Sequence, residues 1–195
     1  GGCVRDSLMG KTPKDWDVTT DARPEEIQKV FPDSFYENNF LTVGVQTDIG
    51  IVEVTTYRLE AEYSDRRHPD KLQFAKTLEE DLARRDFTIN AMAVEVKSEI
   101  RNPKSETNSK SKIKNSKPVS NFEIRASDLK VVDLFDGQKD LKNKIIRTVG
   151  DANERFGEDA LRMLRAVRFA TTLGFVIEEK TAEAIIRNSK WLAEV

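Results

Sequence analysis

The sequence predicts an α+β fold in which a small mixed sheet with helices is followed by an all-helical part. Three observations predict it. Short β-rich runs alternate with helical segments through the first half of the 195 residues. An amphipathic helical pattern takes over after Gly150, and a Lys-, Ser- and Asn-rich window separates two of the β-rich runs. The expected division is one domain over 1–149 and a helical one over 150–195. A chain of this length buries about two-thirds of the surface it exposes when unfolded, so it needs no covalent staple.

Taken in order, Gly1-Gly2 precedes a helical start, and Trp16-Asp-Val18 reads as a short strand. Ala22 to Phe31 reads as a helix: Pro24 sits in its first turn beside Glu25 and Glu26, and Pro32 ends it. Leu41 to Val45 and Ile51 to Tyr57 are β-rich runs split by Thr47-Asp48-Ile49-Gly50, a hairpin signal. Thr77-Leu-Glu-Glu80 is a capping box that opens a short helix through Arg84. Phe87 to Val96 is a further apolar run, and Val131 to Phe135 a last strand before Asp136-Gly137. Asp151 to Leu173 predicts one long helix, with Leu161, Leu164, Val167 and Ala170 as its apolar stripe and Gly174 just past its end. Thr181 to Trp191 begins another.

Composition excludes several classes. No stretch approaches the ~18 apolar residues of a spanning helix. Cys3 is the sole cysteine and His68 the sole histidine. An intrachain disulfide and Cys- or His-based metal clusters are therefore ruled out, and a reducing cytoplasm is the default location. The net charge of −2 averages unlike parts: Lys97 to Ser120 carries seven Lys/Arg against Glu99 and Glu106, which leaves an acidic remainder. Lys, Ser and Asn fill 15 of those 24 positions. Burial cannot offset the ordering entropy of such a composition, so residues 97–127 are expected to form a disordered insertion at a hairpin tip. The ends, a Gly-Gly turn with nothing before it and a helical pattern with no cap after it, read as cuts in a longer protein.

Five constellations could carry chemistry. Asp15 and Asp17 flank Trp16, and i, i+2 residues of a strand share a face, so the two carboxylates would converge on a cation such as Mg²⁺. An acidic turn is the ordinary reading of such a pair. Gly1, Gly2 and Arg5 place exposed backbone N–H groups and a guanidinium at a helix start, a weak phosphate signal. Glu53 stands out as an acid in a strand otherwise poor in charge, and its value depends on whether that strand lies beside Asp17. Arg84-Arg85-Asp86 followed by Asn90 inside an apolar run is costly to bury without partners. Arginine matches phosphate oxygens, while Asp and Asn suit ribose hydroxyls. Glu158, Asp159, Arg162 and Arg165 lie at i, i+3 and i, i+4 spacing, and an acid beside a fixed guanidinium can read an exocyclic amine next to a ring nitrogen. On the Watson–Crick edge cytosine and adenine offer that pair; uracil and guanine do not.

In this order, GGCVRD, DWD, EVTTYR, EEDLARRDFTINAMA, Asp133 to Leu141, IRTVGD and EDALRMLRAVRF resemble the class II (bacterial-type) tRNA nucleotidyltransferase and poly(A) polymerase family. The resemblance implies a polymerase-β-type nucleotidyltransferase head followed by a helical neck. It assigns Asp15 and Asp17 to the metal, Glu53 to an additional catalytic acid, and Gly1, Gly2 and Arg5 to the triphosphate. Arg85, Asp86 and Asn90 correspond to the motif that holds ribose and phosphates. Asp159 and Arg162 correspond to the base-reading pair, with Glu158 orienting the arginine and Arg165 beside them, and Asp133 to Leu141 to a hinge. It also implies a strand before Gly1 and later helical domains that hold tRNA.

The activity so implied is Mg²⁺-dependent transfer of CMP and AMP from CTP and ATP to the 3′ end of tRNA. Phe40 to Val45 matches the CCA-adding members only loosely, and no Gly-Arg-Arg-Phe signature of bacterial poly(A) polymerases occurs there. A poly(A) polymerase, an A-adding or CC-adding specialist, and a non-catalytic RNA-binding relative remain as alternatives.

Overall fold

Local signals set most of the elements. The computed structural model describes residues 1–37, 41–48, 50–61, 63–67, 69, 71–95 and 130–195; the expected insertion at 97–127 and His68 lie outside them. Helix α1 (Gly2–Leu8) starts directly after Gly1 and ends before Gly10, whose φ of +71° a side chain would resist. Helix α2 (Pro24–Val30) has Pro at its start, and the Arg23 N–H donates to Glu26 Oε2 at 2.7 Å.

Around α2 lies a four-stranded sheet of β1 (Asp17–Thr20), β2 (Ser34–Glu37), β3 (Thr42–Thr47) and β4 (Gly50–Thr56), in the order β1-β4-β3-β2. β1 and β4 run parallel and the other pairs antiparallel. Strand alternation gives the sheet two unlike faces. Val43, Val45, Val52 and Val54 pack on Ile27 of α2, which leaves the other face to polar residues together with the exposed Phe35 and Ile51. The strand expected over Trp16–Val18 begins at Asp17, so Asp15 and Trp16 precede the ladder.

A second hairpin, β5 (Arg58–Ala61) with β6 (Lys71–Phe74), was not expected from the sequence: each strand is only four residues long, and Arg58, Glu60, Lys71 and Gln73 take alternate positions in it. Helix α3 (Leu78–Ala83) follows its capping box, with the Glu80 N–H donating to Thr77 Oγ1 at 3.3 Å and the Thr77 N–H to Glu80 Oε2 at 3.3 Å. A 3₁₀ turn (Thr88–Asn90) then leads into β7 (Met92–Glu95), which pairs antiparallel with β8 (Lys130–Asp133). Helix α4 (Gly137–Asn143) and the two-residue β9 (Ile145–Ile146) complete this part.

The long helix expected from Asp151 to Leu173 is two helices, α5 (Ala152–Glu158) and α6 (Leu161–Leu173). Asp159 is extended (φ −138°, ψ 106°), and its carboxylate accepts the Leu161 N–H at 2.9 Å. The break frees the Ala160 N–H to donate to Arg66 O at 2.9 Å, a tertiary bond that helical periodicity does not encode. The expected apolar stripe is also turned: Arg162, Met163 and Ala166 are buried, while Leu164 and Val167 are exposed. Gly174 ends α6 in the left-handed region, as expected. Strand β10 (Val176–Ile177) pairs in parallel with β9, and α7 (Glu179–Asn188) runs into a 3₁₀ turn (Ser189–Glu194).

One core cluster, Phe87, Ile89, Ile146, Ala166 and Phe175, draws on both sides of residue 150. A second joins Ala152, Phe156, Ala160, Met163 and Ala184 within the helical part. The segment from Phe87 to Met92 is thus clamped between the helices and α1, where Cys3 and Val4 pack on Met92.

Candidate active site

The polar face of the sheet forms one wall of a cleft of about 1100 Å³. Asp17 and Glu53 are direct Cα partners across the parallel β1–β4 pair, so both carboxylates project from the same face on neighbouring strands. The strand of Glu53 therefore does lie beside that of Asp17. Thr19 pairs with Thr55 one step along and lines the same wall. The opposite wall brings in Gly1, Cys3 and Val4 of α1, Leu82, Arg84 and Arg85 at the end of α3, and Met92 of β7. The glycine turn comes close to the acids: a Cβ placed on Gly1 would stand 3.9 Å from Asp17 Oδ2.

Trp16 lines this cleft with Asp17, rather than facing away from it. Asp15 lies outside β1, is exposed and does not line the cleft, so strand alternation does not pair it with Asp17. Among the described residues no three His, Cys, Asp or Glu side chains form a metal-holding group. The two adjacent carboxylates nonetheless fit a hard divalent cation. Mg²⁺ is commonly held by one or two carboxylates, with substrate phosphates and water completing its shell.

Guanidinium groups surround the far side of the cleft. Asp81, fully buried on α3, accepts Arg84 Nη2 at 2.9 Å and Nε at 3.1 Å, with Arg85 Nη2 at 3.5 Å. Burial pushes the Asp81 carboxyl up, but Arg84, Arg85 and the Arg58 N–H outweigh it and hold it below its ordinary value. Arg85 is only loosely held, and its buried Nε has no hydrogen-bond partner among the described residues; the same is true of Thr19 Oγ1. Both residues line the cleft. Unpartnered donors lining the cleft suit an anionic ligand that supplies the missing acceptors.

The ribose and phosphate candidates form a closed chain instead. Arg165 Nε and Nη2 both donate to Asp86 Oδ2, and Asp86 Oδ1 accepts the Phe87 N–H at 2.8 Å and Asn90 Nδ2 at 3.1 Å. Asn90 Oδ1 in turn accepts Arg5 Nη1 at 2.7 Å, while Arg5 Nε donates to Asp6 at 2.8 Å. Arg5, Arg165 and Arg168 all lean on the ring of Phe169, with guanidinium carbons 5.3, 5.3 and 5.0 Å from its centroid. This ring and Arg168 close the run EDALRMLRAVRF one turn beyond Arg165, but the sequence assigned neither a role.

The base-reading candidates meet at the α5–α6 break. Arg162 Nη1 donates to Glu158 Oε2 at 2.6 Å, which realises the i, i+4 pair. Asp159 is not on the same helix face as Arg162, since it stands in the extended link. Burial pushes the carboxyls of Asp159 and Glu158 above their ordinary values despite the arginines nearby. Glu60 on β5 also reaches this group: it accepts Arg84 Nη1 at 2.6 Å and the Tyr63 hydroxyl at 2.9 Å, and lies 3.9 Å from Arg162 Nη2. Glu60 and Tyr63 had no sequence signal, because their hairpin was itself unrecognised. Arg162, Glu158 and Asp159 do not line the carboxylate cleft itself.

Residues 1–109 match the family model described as the poly A polymerase head domain. Over its whole length the chain is similar to CCA-adding enzymes. That of Lactobacillus delbrueckii subsp. bulgaricus is 42% identical over 197 residues, covering 100% of this chain and 42% of that protein. That of Bacillus subtilis is 41% identical over 198 residues, covering 100% and 42%. Among solved structures, the Bacillus stearothermophilus CCA-adding enzyme in complex with CTP aligns with a TM-score of 0.75 at 35% identity, covering 100% of this chain and 40% of that one. The Thermotoga maritima CCA-adding enzyme complexed with tRNA_CCA aligns at 0.67 and 25% identity, covering 100% and 38%. The chain thus spans about two-fifths of the length of the curated relatives it matches.

Proposed function

The chain belongs to the poly(A) polymerase head-domain family, and from that footing we propose that it transfers CMP and AMP from CTP and ATP to the 3′ end of tRNA. The observation that carries the reading is the Asp17–Glu53 pair on the wall of a cleft whose other wall holds the glycine turn and Arg85. A cation-binding acid pair facing phosphate-binding groups is the arrangement nucleotidyl transfer requires.

In this reading Asp17 holds a divalent cation, Mg²⁺, with Asp15 supplying a second carboxylate from just before the strand. Glu53 orients the acceptor's terminal hydroxyl. The bound cation lowers the pKa of that hydroxyl and neutralises charge on the phosphates. The backbone of Gly1 and Gly2 cradles the triphosphate, and Arg85 gives it the donors now left over. Asp86 and Asn90 act from behind, fixing Arg165 and Arg5 through their hydrogen bonds. Arg162, steadied by Glu158 and accompanied by Asp159, selects bases that show an amine next to a ring acceptor. Residues 1–149 serve as the head and 150–195 as the start of the neck. No helix among the described residues is long and apolar enough to cross a membrane. A sole cysteine suits a reducing compartment, and on that ground we place the reaction in the cytoplasm.

The test is incorporation of labelled CTP and ATP by the full-length protein on tRNA ending before CCA, after C and after CC, with Mg²⁺ or with chelator. Completion of CCA on all three, lost in Asp17→Ala and with chelator, supports the reading. Extension of arbitrary RNA with ATP alone favours a poly(A) polymerase, and no incorporation at all a binding module.

A further inference from the structure

A single row of Cα partners crosses all four strands of the sheet: Asp17 on β1, Glu53 on β4, Gly44 on β3 and Phe35 on β2. Cross-strand partners project from the same face, so the two acids, the glycine and the aromatic ring belong to one surface. The glycine has a direct steric consequence. A Cβ at Gly44 would lie 2.3, 2.6 and 2.8 Å from Cζ, Cε1 and Cε2 of Phe35. The tip of the ring therefore rests on the β3 backbone, leaning from the edge strand toward Glu53. Phe35 remains 46% exposed, on the same sheet face as the two carboxylates and two strands from Glu53.

An open aromatic ring in that position suits a nucleobase. Stacking is sequence-tolerant, because every base presents a π-face. The geometry also says which nucleotide it would hold. The glycine turn stands at the Asp17 end of the row, where a Cβ on Gly1 would lie 3.9 Å from Asp17 Oδ2, whereas Phe35 is at the opposite edge of the sheet. In an in-line displacement the attacking and leaving oxygens lie on opposite sides of the reacting phosphorus. Phosphates at the glycine turn thus leave the Phe35 side to the attacking strand. Two strand spacings separate Glu53 from Phe35, about 10 Å between Cα atoms, and the lean of the ring shortens that gap to a span one nucleotide bridges.

We propose that Phe35, laid over Gly44, is a stacking platform for the terminal base of the acceptor RNA, which it holds so that the 3′-hydroxyl faces Glu53 and Asp17. The proposal rests on the nucleotidyl-transfer reading above. It makes Phe35 a positioning residue for the acceptor and leaves selection of the incoming nucleotide elsewhere.

The experiment uses the full-length protein, ATP, and two acceptor RNAs ending in CC, one of them lacking the terminal base. Phe35→Ala should raise the KM for the normal acceptor about tenfold, the scale of one lost base–aromatic stack. The KM for ATP and the thermal midpoint should hold, and Phe35→Trp should restore the acceptor KM. Gly44→Ala should reproduce the acceptor defect, since its Cβ displaces only the mobile end of the ring. The abasic acceptor should bind the wild type as poorly as Phe35→Ala binds the normal one, with no further loss in the variant. An unchanged acceptor KM in Phe35→Ala, or an equal penalty with the abasic acceptor, overturns the platform while wild-type incorporation leaves the transfer reading standing. A lower thermal midpoint with unchanged KM assigns Phe35 to covering Gly44 and also overturns it. A wild type that incorporates nothing overturns both.

Discussion

Arg165 donates both Nε, at 2.8 Å, and Nη2, at 2.5 Å, to the same oxygen of Asp86. This contact ties α6 to the segment that enters the 3₁₀ turn, and through Asn90 and Arg5 it reaches α1. Asp86 is 7% exposed and its partner arginine 43%. Breaking a fully buried pair costs about 3–5 kcal/mol, and the open side of Arg165 reduces that. Asp86→Asn should therefore lower unfolding free energy by about 2 kcal/mol, read from the urea midpoint, and Arg165→Ala by less. Equal midpoints for wild type and Asp86→Asn would show that the chain of contacts has no structural weight.

Gly137 tests the clamp on the same segment from the other side. A Cβ there would stand 2.3 Å from the Thr88 carbonyl oxygen and 2.9 Å from Met92 Cγ. The first contact is backbone, so no side chain can swing aside. Gly137→Ala should cost about 3 kcal/mol, the upper range for overpacking, and should also disturb nucleotide binding, because Thr88 begins the turn that carries Asn90. Thermal unfolding at the wild-type midpoint would rule out the close approach.

What the sequence showed and what it hid divide along local and non-local causes. Pro24, the Thr77–Glu80 capping box, the Thr47–Gly50 turn and Gly174 act within a few residues of themselves, and each was legible. The β5–β6 hairpin was not, since Arg58 and Glu60 are poor strand signals, and Glu60 is held by Arg58 and by Arg84 from another element. The break at Asp159 was hidden for the same reason: Arg66 captures the Ala160 N–H across the fold. The site followed the same pattern. Residue types pointed to Asp17, Glu53, Arg85 and Arg162, but only the β1–β4 register puts Asp17 beside Glu53. That pairing joins strands separated by two others in sequence, and no local pattern announces it. The closed chain from Arg165 to Arg5 was equally invisible, because both Asp86 and Asn90 resemble ligand-binding residues until their partners are known.

Asp81 links acid stability to the arginine cluster. Burial raises its carboxyl, but Arg84 and Arg85 outweigh this, so its folded value lies below its unfolded one. A depressed carboxyl contributes stability that is present above the unfolded value and lost as pH falls through the folded one. The wild type should thus lose stability as pH falls through and below the ordinary aspartate range, and Asp81→Asn should be weaker at neutral pH with a shallower acid loss. Parallel pH–stability curves for the two proteins would show that Asp81 is not a source of the acid sensitivity.

Asp159 sets the last expectation, which concerns nucleotide choice. Burial is the main influence on its carboxyl and raises it, with the Leu161 N–H, Arg162 and Arg165 only partly opposing. To accept an exocyclic amine the carboxylate must be ionised. As pH falls through the raised value, kcat/KM for CTP and ATP should drop while UTP and GTP, already poor, change little. Discrimination therefore shrinks from the acid side, with an inflection above the ordinary aspartate range. Asp159→Asn should remove that inflection and flatten nucleotide choice at all pH values. Glu158 is also raised by burial and touches Arg162 at 2.6 Å, so its protonation would loosen the arginine and mimic the effect. Glu158→Gln separates the two. An inflection that survives Asp159→Asn but vanishes in Glu158→Gln would move the titration to the residue behind Arg162. Arg162→Ala should lose discrimination whichever acid titrates, and if it still rejects UTP and GTP as the wild type does, the base is read elsewhere.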